Sequence, residues 1–345
     1  MKNRPTIADL AKEAGVSVST VNRILAGTSK VRASTIQSVQ AAAERIGYYG
    51  LGVIEARHDE QRPSYRFGFL LQQSSREVYR IFASGIQEAA VQRRDEKVTP
   101  LIDFVDRLEP SNIAARLTAL GEECDAVAVI AADHPLIGQA IRDLKLKGKP
   151  TVAYITDQSA PDRAAFVGLD NWKLGRTAAW FVSEMSPEPG RIALFLGNHR
   201  YQCQDMADAA FRSYIREHAP HLTVEDSRPT NEDNDVSYQM MRELLSTGEK
   251  LSGVMIAGGG ISGVLRALRE APEEQRKGVR LICRDIGPEA RKGLTEGLIA
   301  AALCHPLKDI SNNLVETMID VTKDKAGGTT LQRTVPLEIV TPESI

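Results

Sequence analysis

Beyond Pro63 the chain alternates short apolar, β-branched runs with longer stretches of helical periodicity, and this alternation narrows the choice of fold more than any other feature. The runs lie at 67–71, 98–104, 126–131, 151–155, 192–196, 254–257 and 281–283, with helical stretches at 80–94, 136–147, 172–183, 207–218 and 262–270 between or after them. Strands interleaved with helices build parallel sheets covered on both faces. Two successive sets of such units predict two doubly wound α/β lobes. Ligands bind such sheets at the carboxyl ends of their strands, here in the cleft between the lobes. The chain's 345 residues allow more than one hydrophobic core.

The first fifty residues have a different pattern. Thr6 and Asp9 have the spacing of a capping box, and Ile7, Leu10, Ala11 and Ala14 follow at helical spacing. Gly15 ends that helix, Val16 fills the turn and Ser17 caps a second helix whose Val21, Ile24 and Leu25 face inward. A third helix over about 33–46 carries Ile36, Val39, Ala43 and Ile46 and ends at Gly47. Three short helices with a glycine-containing turn after the first form a helix-turn-helix, whose second helix enters the DNA major groove. On its outer face Arg23 can donate to guanine, Asn22 to adenine or phosphate, and Val18 can touch a thymine methyl, with Ser19 beside them. Thr6, Ser17, Thr20, Lys30, Arg32 and Thr35 lie where phosphates would be held. A generic three-helix bundle with solvated polar faces is the alternative.

Charge agrees with a polyanion partner for this end alone. Residues 1–50 hold seven Lys/Arg against three acids, +4, within a chain of net charge −2. No apolar run approaches the roughly 18–20 residues needed to cross a bilayer, and the start lacks a signal-peptide core. Cys124, Cys203, Cys283 and Cys304 are widely spaced and form no CxxC pair. A cytoplasmic protein without a disulfide framework is expected.

In the body, the loops after the strands supply the pocket candidates Gln72, Asp133, His134, Asp157, Arg200, Gln204 and Asp285, with Gln73, Ser74 and the rest of 199–204 beside them. Tyr79 and Phe82 begin the first helix of the body, where an aromatic face can stack on a sugar or join the core. Carboxylates, amides and an aromatic plane suit a polyhydroxylated ligand. Solvated loop groups are the alternative for each polar member.

The six histidines show no HxxxH or HExxH spacing, no GxSxG elbow is present, and Gly258-Gly259-Gly260 is not followed by the Lys-Ser/Thr of a phosphate-binding loop. Neither a cofactor nor a metal is expected, nor an enzyme. The runner-up is a DNA-binding head fused to a sugar-acting enzyme. A pure solute-binding protein would need an export signal and no head.

The segment TIADLAKEAGVSVSTVNRILAG, continued by GTSKVRASTIQSVQAAAERIGY, resembles the head of the LacI/GalR family of bacterial transcriptional regulators. In the body, AAFVGLDNWKLGRTAAWFV, RIALFLGNHRYQCQDMADAAFRSYIRE and DIGPEARKGLTEGLIAAALCHP resemble the family's periplasmic-binding-protein-like core. The resemblance implies base reading by Val18, Ser19, Asn22 and Arg23, backbone contacts at Thr6, Ser17, Thr20 and Tyr48, and a pocket aspartate at Asp285. It further implies a homodimer on a pseudo-palindromic operator and a small sugar-like effector. The expected division is a head at 1–47, a hinge or linker at 48–62, and an effector and dimerisation domain at 63–345. Within that domain, lobe 1 is expected at 63–163 plus 305–328 and lobe 2 at 164–304 plus 329–345.

The sequence departs from the family pattern at two places. Gly50 and Leu51 replace the Pro-Asn pair of the hinge, and Arg57 stands where a leucine would wedge into the minor groove. An arginine prefers a narrow, A·T-rich groove, while Ile54 or Leu51 could wedge in a shifted register. Ala207 stands where the family usually has a ligand-gripping arginine, which leaves Arg200 or Arg163 to supply any positive charge. No leucine heptad follows Thr330, so a coiled-coil tetramer is not expected.

Overall fold

The structure is a computed structural model that describes residues 4–27, 31–324 and 329–345. The chain divides into two compact units. One runs to Tyr65 and includes Val91–Thr99; the other comprises Arg66–Ala90 and Pro100–Ile345.

The first unit holds four helices: α1 (Ile7–Glu13), α2 (Val18–Ala26), α3 (Ala33–Ile46) and α4 (Leu51–Gln61). The capping box forms as expected. Thr6 Oγ1 accepts from Asp9 N–H at 3.3 Å, and Asp9 Oδ2 accepts from Thr6 N–H at 2.9 Å. Ser17 caps α2 by accepting from Thr20 N–H at 3.2 Å. Gly15, Gly27 and Gly47 take the left-handed conformation in which these helices stop. Leu10, Val21, Ile24, Ile36, Val39 and Ala43 close one core.

The segment expected as a linker contributes to that core. Residues 51–61 form α4, whose Ile54 is fully buried among the same side chains, with Leu51 packed against them.

The second unit carries two sheets. The first has strand order β12-β5-β4-β3-β1-β2 and is built from β1 (Ser64–Gln72), β2 (Lys97–Val105), β3 (Ala126–Val129), β4 (Thr151–Tyr154), β5 (Ala165–Leu169) and β12 (Leu331–Val335). Its helices are α5 (Glu77–Gln92), α6 (Pro110–Glu123), α7 (Pro135–Leu146) and, after the second sheet, α14 (Leu307–Lys323). The second sheet has order β13-β11-β10-β9-β6-β7, with β8 also on β6. Its strands are β6 (Gly190–Leu196), β7 (Leu222–Val224), β8 (Arg228–Pro229), β9 (Leu251–Ile256), β10 (Arg280–Arg284), β11 (Ile299–Cys304) and β13 (Glu338–Val340). Its helices are α8 (Asn171–Glu184), α9 (Gln202–His218), α10 (Asn234–Ser246), α11 (Ile261–Glu270), α12 (Glu273–Arg276) and α13 (Pro288–Thr295). The pairings β1–β3, β3–β4, β4–β5, β6–β9, β9–β10 and β10–β11 are parallel, and β13 runs antiparallel to β11.

The lobe boundaries differ from those expected at 163/164 and 328/329. β5 pairs with β4, and β12 pairs with β5, so both belong to the first sheet. The chain therefore crosses between lobes after Leu169, after Cys304 and after Val335. A strand's own residues do not say which sheet it joins; the neighbour's free edge decides.

Candidate functional site

In the head, Val18 is 45% exposed, and Ser19, Asn22 and Arg23 are exposed with it on the outer face of α2. Arg23 Nη2 donates to Thr20 Oγ1 at 3.3 Å, and Thr20 in turn meets Ser17 Oγ at 2.9 Å. Arg32 is exposed and Thr35 half-buried at the start of α3, while Lys30 lies outside the described residues.

Tyr48, expected at the DNA backbone, is only 3% exposed and belongs to the head core. Burial, followed by its neighbour Tyr49, pushes its phenol up to about 12. Tyr49 is 75% exposed and is the tyrosine available at this surface.

The hinge candidates are likewise engaged within the head. Full burial of Ile54 removes it as a wedge, and Leu51 packs on the same core. Arg57 lies against Gly27, where an added Cβ would come within 2.6 Å of its guanidinium carbon, and pairs with Glu60 at 2.7 Å. Among the larger apolar residues of α4, Val53 is the exposed one, at 47%.

In the second unit, a cavity of about 350 Å³ opens between the lobes at the carboxyl ends of the strands. The sequence candidates Tyr79, Phe82, Gln204 and Asp285 line it. Phe82 presents its ring edge-on to Tyr154 and His305 at 5.8 and 5.6 Å.

Gln72 sits behind this wall, buried. Its amide donates to Ile130 O at 3.2 Å and to Tyr201 Oη at 2.9 Å, and accepts from Tyr79 Oη at 2.8 Å. Tyr201 belongs to the other lobe, so this triad ties the lobes together. Burial raises both phenols, which therefore stay neutral hydroxyls.

The remaining candidates lie elsewhere. Asp133, His134 and Arg200 line a separate depression, where the Asp133 N–H bonds Arg200 O at 2.8 Å and His134 caps α7. Asp157 is held by Arg163 at 2.6 and 2.9 Å. Neither Arg163 nor Arg200, the two arginines expected to compensate for Ala207, lines the cavity. Ala207 is fully buried where α8 crosses α9; a Cβ on Gly175 would fall 2.1 Å from its carbonyl oxygen.

The positive charge comes from residues that sequence reading missed. Arg76, after β1, and Arg284, at the end of β10, line the cavity together with Glu232 and the Gly258-Gly259-Gly260 loop. Arg76 reaches across the cleft to Glu232, whose other oxygen accepts from Gln204 at 3.0 Å. A Cβ at Gly259 would lie 2.1 Å from Glu232 Oε2, so a side chain there would displace this carboxylate. Ile155, Glu232 and Asp285 all adopt positive φ at the cavity wall, a backbone cost that tends to accumulate at functional sites.

Asp285 Oδ1 accepts from the His305 backbone N–H at 2.9 Å and from its Nδ1 at 2.7 Å. Nδ1 thus carries the ring proton and Nε2 accepts from Arg284 Nη2 at 3.1 Å. Burial alone would raise the Asp285 carboxyl, but His305 and Arg284 override it and hold it below its usual range. Burial dominates for His305 and lowers its imidazole, which is neutral.

Comparison with known proteins places both units. The model of the lacI family of bacterial regulatory proteins matches residues 6–50, and that of the periplasmic binding protein domain matches 67–326. The chain belongs to the lacI family.

Catabolite control protein A of Priestia megaterium is 26% identical over 147 residues, 43% of this chain and 42% of that protein. The maltose regulon regulatory protein MalI of Vibrio furnissii is 44% identical over 46 residues, 13% of this chain and 34% of that protein. This lacI-family chain therefore matches less than half the length of either relative.

Solved structures share the fold of the second unit. The glucose-galactose binding protein GanP of Geobacillus stearothermophilus superposes with a TM-score of 0.73 at 15% identity, over 82% of this chain and 99% of that one. A solute binding protein of Agrobacterium vitis bound with α-D-tagatopyranose gives 0.72 at 15% identity, over 81% and 95%. Among the described residues no helix is long and apolar enough to cross a membrane, and no cluster of three metal-ligating side chains occurs.

Proposed function

We propose that this chain is a sequence-specific transcription regulator, acting in the cytoplasm as a homodimer. A small polyhydroxylated effector in the interlobe cleft sets its affinity for a pseudo-palindromic operator. The observation that carries the reading is the outer face of α2: Val18, Ser19, Asn22 and Arg23 stand exposed on a properly capped recognition helix inside a lacI-type head. Side chains of this kind read base edges in the major groove.

The cleft supports the second half of the reading. Tyr79 and Phe82 offer apolar faces, while Asp285, Gln204, Glu232 and Arg76 offer convergent acceptors and donors, the composition of a polyol site. Two relatives named for catabolite control and a maltose regulon, and neighbours in fold that hold sugars, support a sugar or sugar derivative. The effector acts by preferring one arrangement of the lobes, and it can shift operator affinity only by that preference. No covalent step is required, so the reading is of a binding protein and not an enzyme.

Selection from random duplex DNA at physiological salt, read by sequencing, tests this. Enrichment of an inverted repeat is expected. Binding that shows no sequence preference and fades as salt rises would reduce the head to a basic patch and overturn the reading.

A further inference from the structure

Arg284 is a buried cation without a hydrogen-bonded anion. Only 6% of it is exposed, yet it lines the cavity. Nη2 is engaged by the neutral His305 ring, Nε lies 4.0 Å from Asp285 Oδ2, and Nη1 has no partner among the described residues. Burying a charge in this state is costly unless something completes its shell.

The surroundings match what is missing. β10, which ends at Arg284, pairs with β9, so the loops after these two strands are neighbours. Each leads into a helix whose N-cap, Gly260 for α11 and Gly287 for α13, offers no side-chain cap. Ile261, Ser262 and Ala290 in the first turns of these helices line the same cavity. Free N–H groups and the positive ends of two helix dipoles thus flank the unpartnered guanidinium.

Most carboxylate oxygens in the wall are already committed, and Glu77 of that wall pairs with Arg80. Glu289 pairs with Arg269 at 3.0 Å, Glu232 with Arg76, and Asp285 Oδ1 with His305. Among the described residues Asp285 Oδ2 has no hydrogen bond and is left for a donor.

We propose that the effector carries an oxyanion, seated on Arg284 between the N-termini of α11 and α13, beside a hydroxyl that donates to Asp285. Its chemical class is a polyhydroxylated acid: a sugar carboxylate or a sugar phosphate. This rests on the cleft being the effector site and goes further by fixing the charge of its ligand. A cavity of about 350 Å³ fits one such monosaccharide-sized molecule.

The test is calorimetric titration of the full chain, at fixed ionic strength, with matched probes. These are D-glucose and D-galactose, their aldonates and uronates, glucose 6-phosphate, and inorganic phosphate alone. Carboxylates or phosphates are expected to bind about ten- to a hundredfold tighter than their neutral counterparts, and the stronger arm identifies the anion. Arg284→Gln should abolish that preference and Arg284→Lys should keep part of it. Arg284→Met should lose the preference as well, and a cooperative melt of the ligand-free variant separates that loss from unfolding.

Neutral sugars binding as tightly as their acids would overturn the proposal while leaving the cleft reading intact. A preference that survives Arg284→Gln in a folded protein would also overturn it, as would no saturable binding of any anionic probe. The cleft reading itself fails if probes bind equally well to Ser262→Trp, whose side chain fills the cavity.

Discussion

Arg23 gives up little to reach a base. Among the described residues its guanidinium has one 3.3 Å hydrogen bond, to Thr20, and the residue is exposed. Arg23→Ala should therefore cost about 1–3 kcal/mol per contacted base pair and relax specificity at that position. Competition binding with single-base operator variants would show it, whereas an equal loss on random DNA would reassign Arg23 to the phosphates. A second residue-level expectation concerns pH. His305 is held neutral by burial, below its ordinary value of 6.5, so as pH falls below 6.5 the unfolded chain takes up a proton that the native chain refuses. Stability then declines with falling pH. Asp285, whose carboxyl is depressed, contributes stability that is lost only lower, as pH falls below 3.8 toward its folded value. Melting of the second unit should drop between pH 7 and 5, and His305→Asn should flatten that slope. An unchanged slope would place the titration at another group.

Helix α4 shows what a sequence conceals at the scale of elements. Its apolar face consists of little more than Leu51 and Ile54 among polar residues, too few to reveal a period, yet Ile54 completes the head core. Ile54→Ala should cost the head about 2–5 kcal/mol. Hydrogen exchange would report it as lost protection across α1 to α4, while protection confined to α1–α3 and unaffected would show α4 to be a detachable linker. The strongly patterned parts were legible: α1 to α3 with their caps, and the strands β1 to β4, β6, β9 and β10, whose short apolar runs stand out from their flanks. The assignment of β5 and β12 to the first sheet was not, because pairing partners are set by three-dimensional edges. The site divides the same way. Tyr79, Phe82, Gln204 and Asp285 could be found from loops that follow obvious strands. Arg76, Glu232 and Arg284 could not, since Arg76 and Glu232 meet only across the cleft and Arg284 is the last residue of a buried strand. Tyr48 was misplaced because a family position implies a role only when the side chain is free, and here it is buried in the head core.

For the molecule as a whole, DNA reading and effector sensing are useful together only if they are coupled at equilibrium. If the chain acts as the proposed two-fold dimer, each head meets one half-site, and the half-sites should lie about 10 base pairs apart, centre to centre. Lengthening the spacer by about half a helical turn, roughly 5 base pairs, should abolish tight binding while leaving each half-site's weak affinity unchanged. Coupling adds a stricter requirement. If an effector changes operator affinity by some factor, typically about 5- to 150-fold, operator DNA must change effector affinity by the same factor and in the same sense. Titrating a cleft ligand with and without saturating operator measures the second factor, and titrating operator with and without ligand measures the first. Equal factors are expected whether the ligand releases or promotes binding. A ligand that fills the cleft yet leaves both affinities unchanged would have equal affinity for both lobe arrangements, and such a molecule is an occupant of the cavity and not the effector.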